Sequence, residues 1–218
     1  MRQITAIQVT AFMSMLGLSI ALGVGSAYAL LGSLSLGDFR GIVLVLAGVV
    51  FIYLWAFVIY RLFLLALPLE EGEVKPESRA EFAAQVNILF YLLLFNTLIR
   101  THFLPVPVMR LVYLALGARL GANTYSAGVL LDPALTELGA NCIVGHDAVL
   151  YSHAIEGEHF SLARIRIGDK VTIGACAIVM SGVSIGDGAI VSAGAVVLKD
   201  TRIAAGEVWG GVPARRLR

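Results

Sequence analysis

Apolar positions change their rhythm twice along this chain. From Gln3 to Gly37 no charged residue or histidine occurs, and Thr10 to Leu34 is a continuous, largely apolar run. After the short turn SLGDFRG, a second uncharged run covers Gly41 to Tyr60 and continues past Arg61 as LFLLALPL. Each run, coiled as a helix, is long enough to cross a hydrocarbon core of about 30 Å. The frequent Gly and Ser of the first suit close helix packing in lipid. Residues 1–69 are therefore expected to form two transmembrane helices. Ala27-Tyr28-Ala29 resembles a signal-peptidase site, but the apolar run continues beyond it and the second span follows at once, so a retained helix is expected.

The next stretch is mixed. Residues 70–82 (EEGEVKPESRAEF) read as a charged, solvated linker. Residues 83–117 begin with AAQVNILFYLLLFNTLI, apolar but short for a span and marked by Gln85, Asn87 and Asn96. Pro105 and Pro107 break it before VMRLVYLALG, so an interfacial or re-entrant helix followed by an amphipathic one is expected. His102, at the break, would mark the membrane interface. Arg2 before the first span, and Arg61, Lys75 and Arg79 after the second, outweigh the lone Arg40 (offset by Asp38) between them. That bias puts both ends of the pair in the cytoplasm. The expected location is the inner (cytoplasmic) membrane, multi-pass, with the C-terminal half facing the cytoplasm; a third full span would reverse that side.

From residue 118 the beat becomes six. One series runs Leu120-Gly121, Leu138-Gly139, Val144-Gly145 and Leu150. A second runs Ile167-Gly168, Ile173-Gly174, Val179, Ile185-Gly186, Val191, Val197 and Ile203. Two residues earlier stand Ile165, Val171, Ala177, Val183, Ala189 and Ala195 as further inward positions. Neither a helix near 3.6 nor an isolated alternating strand has this step, whereas a stacked β-solenoid does. Leu150 to Ile167 is 17 residues, one short of three repeats. Residues 153–164 should therefore loop out of the wall, and a break in a monotonous wall is where function is expected.

These repeats, from Leu111 to Arg218, resemble the left-handed parallel β-helix acyltransferases built from [LIV]-G-x4 units. The ending IGDGAIVSAGAVVLKD then GGVPARRLR is similar to that family's closing signature, with Ala195 where Ser is usual and Leu198 where Thr is usual. Ser152-His153 also resembles the Thr-His pair that precedes a similar excursion in acyltransferase-like modules of some peptide synthetases. The resemblance implies a C-terminal left-handed parallel β-helix, an all-β solenoid of residues 118–218. Here it is joined to the N-terminal transmembrane α-helical region read from the apolar runs, which the soluble sugar and antibiotic acetyltransferases of the family lack. The resemblance further implies a homotrimer with active sites between prisms, and acetyl-CoA or another acyl-CoA as co-substrate without a metal. Thr172 stands before Ile173-Gly174 where the family usually has Trp, a change expected to alter only the groove wall.

Acyl transfer to a hydroxyl or amine needs a base as the acceptor attacks, and neutral imidazole with a pKa near about 6.5 suits that. The resemblance puts the catalytic role on His153, at the start of the excursion. Asp132 is the acceptor-binding or orienting candidate, with Glu137 in reserve. His146 and His159 are further acceptor-binding or orienting candidates. His146 either contacts substrate or, the favoured reading, points outward, and His159 either shapes a neighbouring site from within the loop or is a solvated loop residue. The CoA groove carries over to Gly174, Ala175, Ala193, Gly194, Lys199, Arg215 and Arg218, the basic groups facing phosphates. Trp209 is expected to pack on the C-terminal cap and Trp55 to lie within a lipid span.

Composition narrows the rest. Hydrophobic residues make up 58% and charged residues 14%, against about 25% charged in ordinary soluble domains. The net charge of +1, without a basic run, gives no support for nucleic-acid binding. Cys142 and Cys176 have no ligand spacing and read as buried thiols. The expected partners are the bilayer, a membrane-associated acceptor and two further copies of the chain. Two other readings stay open: a non-catalytic trimeric scaffold, and a carbonic anhydrase-like zinc protein of the same fold. For the latter, His146, His153 and His159 supply the number of ligands but not the His-x4-His spacing.

Overall fold

A computed structural model describes residues 3–35, 37–101 and 103–218; Arg2 and His102 lie outside the described residues. Helices α1 (Ala6–Leu31) and α2 (Arg40–Ala66) pair along their lengths. The Thr5 hydroxyl accepts from the Gln8 amide while Gln8 Oε1 accepts from the Thr5 N–H at 2.7 Å, and this reciprocal cap starts α1. Small residues bring the pair close, since a Cβ on Gly23 would run into the Ile52 backbone. Trp55 donates to Ser26 across the same contact at 3.0 Å. The outer faces, including Ile7, Met13, Val24, Val45 and Leu65, are left exposed. Both helices are long and apolar enough to cross a membrane.

Helix α3 (Arg79–Phe90) begins inside the segment expected to be linker. Ser78 accepts from the Glu81 amide at 3.1 Å, and the Glu81 carboxylate accepts from the Glu77 amide at 2.7 Å. The helix runs on through a π turn, Tyr91–Phe95, and a last turn, Asn96–Arg100. These 22 residues are also long and apolar enough to cross a membrane, yet 56% of the apolar window is buried, against 22% and 17% for the first two helices. Aromatic contacts explain the difference. Phe90 meets Phe12 edge-on at 5.1 Å, Phe95 stacks on Phe57 at 5.0 Å, and Asn87 accepts from the Tyr60 hydroxyl at 2.6 Å. The helix Val106–Ala115 then leads into the repeats, and its Tyr113 hydroxyl donates to the Gly128 carbonyl at 2.8 Å.

The repeats coil into three parallel sheets. One holds strands Arg119–Leu120, Thr136–Leu138, Ile165–Ile167, Ser184–Ile185 and Arg202–Ile203; we refer to it as the first wall. The second wall runs from Tyr125–Ser126 through Ile143–Val144, Thr172–Ile173 and Ile190–Val191 to Val208–Gly210. The third runs from Val129–Leu130 through Val149–Leu150 and Ile178–Val179 to Val196–Val197. Registers such as Ile167↔Ile185↔Ile203 advance by three hexapeptides per coil. The second series of the six-residue beat, with its partners two residues earlier, is buried from Ile165 to Ile203, so the expected inward set is the observed core.

Each corner needs a residue in left-handed backbone, and Lys170, Cys176, Gly182, Gly188, Gly194, Asp200 and Gly206 supply it at every sixth position. This corrects one cysteine: Cys142 is buried as expected, but Cys176 occupies a corner and is exposed. Gly174 is required for a different reason. A Cβ there would meet the backbone of Ala193 on the next coil. We expect Gly174→Ala to force the coils apart and to cost about 1–3 kcal/mol, seen as a lowered midpoint in thermal unfolding.

The segment read as a solvated linker is docked. Gly72–Glu73 forms a short strand pairing antiparallel with the excursion (Gly72↔Leu162, Glu73↔Ser161), and Val74 is buried with Leu135, Phe160 and Leu162. The excursion itself is a β-hairpin, His153–Glu156 and His159–Leu162, so the added strand covers an edge that would otherwise be unpaired.

Candidate active site

Stacking of successive coils builds the site. The register Leu130↔Leu150 puts Asp132 level with Ser152 at the corner between the third and first walls. There the chain leaves the wall as the hairpin, and its root is closed by the Ala163 amide donating to the Ser152 carbonyl at 2.8 Å. The Asp132 carboxylate, 3% exposed, accepts three N–H groups on one oxygen: Ser152 at 2.8 Å, His153 backbone at 3.2 Å and His153 Nδ1 at 2.7 Å. A carboxylate so placed fixes the ring with its proton on Nδ1 and leaves the Nε2 lone pair to accept a proton. The Tyr151 ring lies 5.8 Å from the imidazole. Burial pulls the His153 pKa down, but the hydrogen bond and charge of Asp132 outweigh it, and the net shift is upward.

The other expected site residues divide by corner. Lys199, two coils on at the His153 corner, donates to Glu156 on the hairpin at 2.6 Å, and this contact raises its pKa. Gly174, Ala175, Ala193 and Gly194 line the opposite corner, between the second and third walls, together with His146, whose carbonyl accepts from the Cys176 amide. The His146 side chain points outward, 3.2 Å from Asp147. His159 sits at the far end of the hairpin from His153, 3.4 Å from Glu73. Glu137 accepts from Arg119 and Arg164 on the first wall, away from His153. Arg215 lies on the closing strand opposite Gly210, and the Arg218 carbonyl accepts from Val208. The structure thus joins Asp132 to His153, and keeps the small-residue corner apart from them across the width of one wall. Trp209 packs against the core's end and donates to Glu207 at 2.9 Å.

Two contributors, Glu156 and Glu71, went unread in the sequence, whereas Ser152 was noted there beside His153. Ser152, fully buried, donates from its hydroxyl to Leu135 at 3.0 Å. Glu156 holds Lys199, and Glu71 receives Arg164 and Arg166. Backbone and side-chain hydrogen bonds from Arg164, with the charge of Arg166, hold the Glu71 carboxyl low against the opposing effect of burial. The two acids depend on pairings that no local pattern records. Among the described residues, no three His, Cys, Asp or Glu side chains gather where a metal ion could be held.

Residues 164–199 match the bacterial transferase hexapeptide family (six repeats). Over 83 residues, 38% of this chain, the sequence is 42% identical to gamma carbonic anhydrase 1, mitochondrial, of Arabidopsis thaliana, and over 97 residues 37% identical to gamma carbonic anhydrase 2 of the same organism. The chain spans only 26% and 30% of the length of these relatives. Among solved structures it is similar to a hexapeptide-repeat-containing acetyltransferase of Vibrio cholerae, at 28% identity over 47% of this chain and 62% of that one, with a TM-score of 0.43. A galactoside acetyltransferase in complex with coenzyme A aligns at 21% identity over 68% and 86% of the two chains, with a TM-score of 0.47. The C-terminal half is a parallel β-helix, and residues 164–199 within it carry the hexapeptide repeat of that family model.

Proposed function

We propose that the protein is a membrane-held acyltransferase that moves an acyl group, acetyl first of all, from coenzyme A to a hydroxyl or amine of a membrane-associated acceptor. The observation that carries this reading is the Asp132–His153 pair at the root of the hairpin interrupting the solenoid. His153 Nε2 takes the proton as the acceptor oxygen or nitrogen attacks the thioester carbonyl. The tetrahedral intermediate collapses, the C–S bond breaks, and the thiolate recovers that proton from the imidazolium, so no acyl-enzyme is formed. Backbone N–H groups of a neighbouring coil are the donors we assign to the oxyanion.

The reading takes the solenoid as left-handed and homotrimeric. The separation of the two corners supports a trimer. In it, the His153–Lys199 corner of one prism would face the Gly174–Ala193 corner of the next, and CoA would lie between them with its phosphates near Lys199, Arg215 and Arg218. The reading also keeps the solenoid on the cytoplasmic side of the inner membrane, where acyl-CoA is found. Support comes from α3: its aromatic contacts fall on the start of α1 (Phe12) and the later part of α2 (Phe57, Tyr60), and its first turns pack on the hairpin. That pattern suits a helix lying beneath the α1–α2 pair better than a third member beside it.

Membranes bearing the full chain, supplied with labelled acetyl-CoA, are expected to transfer label to an extractable acceptor while releasing free CoA thiol. Thiol release without labelled acceptor, or neither, would overturn the proposal. The identity to gamma carbonic anhydrases favours a second reading, a zinc-dependent hydration of carbon dioxide. His153 is already tied to Asp132 and His159 stands at the hairpin tip, so one chain does not gather the ligands. Elemental analysis of the purified protein is expected to find no stoichiometric zinc; one zinc per chain would favour the second reading.

A further inference from the structure

Where α2 meets the solenoid, a cleft of about 200 Å³ is lined by Arg61, Arg119 and Arg164 together with Leu64, Leu65, Pro68 and Leu69. We propose that this cleft is a lipid-headgroup site, taking the phosphate of an anionic phospholipid with its first acyl carbons along the leucine wall.

Charge, placement and shape all bear on this. Three guanidinium groups line the cleft, Arg61, Arg119 and Arg164, and two carboxylates answer them: Glu71 takes Arg164, and Glu137 takes Arg119 and Arg164. A positive balance of one is left, and Glu71 is further shared with Arg166 outside the cleft. Arg164 is held rigid by these acids and by the Ala134 carbonyl at 3.2 Å, so it serves as a fixed wall. Arg119 is 76% exposed at its side chain, and among the described residues no carboxylate lies within ion-pair distance of Arg61. Arg61 stands within the last turns of α2, on a helix whose neighbouring faces are apolar and exposed. A guanidinium so placed must reach the interface for a counter-charge. Gly117, with φ of +102°, makes room for it, because a Cβ there would collide with the Arg61 guanidinium. Arginine forks match phosphate oxygens bidentately, and basic pockets beside membrane helices recruit anionic headgroups. The leucine wall distinguishes such a ligand from a free anion.

The site does not depend on acyl transfer, and its test uses no acyl-CoA. The full chain in a neutral detergent would be titrated with dioctanoyl phosphatidylglycerol, dioctanoyl phosphatidylcholine and inorganic phosphate, with binding followed by microscale thermophoresis. Phosphatidylglycerol is expected to bind about tenfold or more tightly than phosphatidylcholine, with inorganic phosphate weaker than both. Arg61→Gln is expected to remove that preference. Arg202→Gln, on the same wall but outside the cleft, is expected to keep it. Equal binding of the two lipids by the parent, or an Arg61→Gln variant that binds as the parent does, would overturn the proposal. So would inorganic phosphate binding as tightly as phosphatidylglycerol, which would make the cleft a site for soluble anions.

Discussion

His153→Ala is expected to lose about 10²–10⁴-fold in the rate of acyl transfer while still binding acyl-CoA. The reasoning is local. The imidazole is the group at the hairpin root able to accept a proton near neutral pH, and Asp132 fixes its tautomer at 2.7 Å. Removing the ring leaves the backbone of the corner unchanged, because the Ser152 and His153 amides still donate to Asp132. Rate should fall with little change in acyl-CoA affinity. A variant that kept most of its rate would remove His153 from the mechanism, and one that lost affinity and rate together would assign it to binding.

The second large effect is expected from Asp132→Asn. A base must be neutral to act, so the parent's rate should rise with pH and level off above a midpoint higher than that of free imidazole, because the net shift at His153 is upward. With the carboxylate charge gone, burial acts alone and pulls the midpoint to lower pH. The amide can no longer hold the ring by a charged acceptor, so the plateau rate should also drop, by about tenfold to a hundredfold. Stability follows the same proton. A histidine whose folded pKa is raised contributes stability that is fully present below its unfolded pKa of about 6.5 and is lost as pH rises through the folded value. The parent should therefore lose part of its thermal stability across that window, and the Asn variant should lose less. An unchanged pH–rate midpoint in Asp132→Asn would show that the carboxylate does not tune the imidazole.

Much of the fold and part of the site were legible in the sequence, for physical reasons. Six-residue periodicity is imposed by coil geometry at every step, so the spacing alone marks Ile165 to Ile203 as inward. The single missing residue between Leu150 and Ile167 likewise marked the excursion and put His153 at its start. Asp132 was harder, because Pro133 and the irregular coil around it hide the register; only the pairing Leu130↔Leu150 sets it against His153. What local patterns do not carry is contact between distant segments. Glu71 and Val74 look like solvated linker until the hairpin supplies an edge and an apolar partner. Ser78 and Glu81 did carry a helix-start signature, and it lay within a stretch whose charge suggested a loop. Cys176 shows the converse error: its apolar neighbours suggested burial, but corner position decides exposure in a solenoid.

Direct titration of the full-length protein with acetyl-CoA in a calorimeter bears most closely on the thioester chemistry claimed for this prism. Saturable binding, about one ligand per chain, weakened by Lys199→Ala and left nearly unchanged by His153→Ala, is the result expected. The absence of heat at millimolar acetyl-CoA and at longer acyl chains alike would contradict the account.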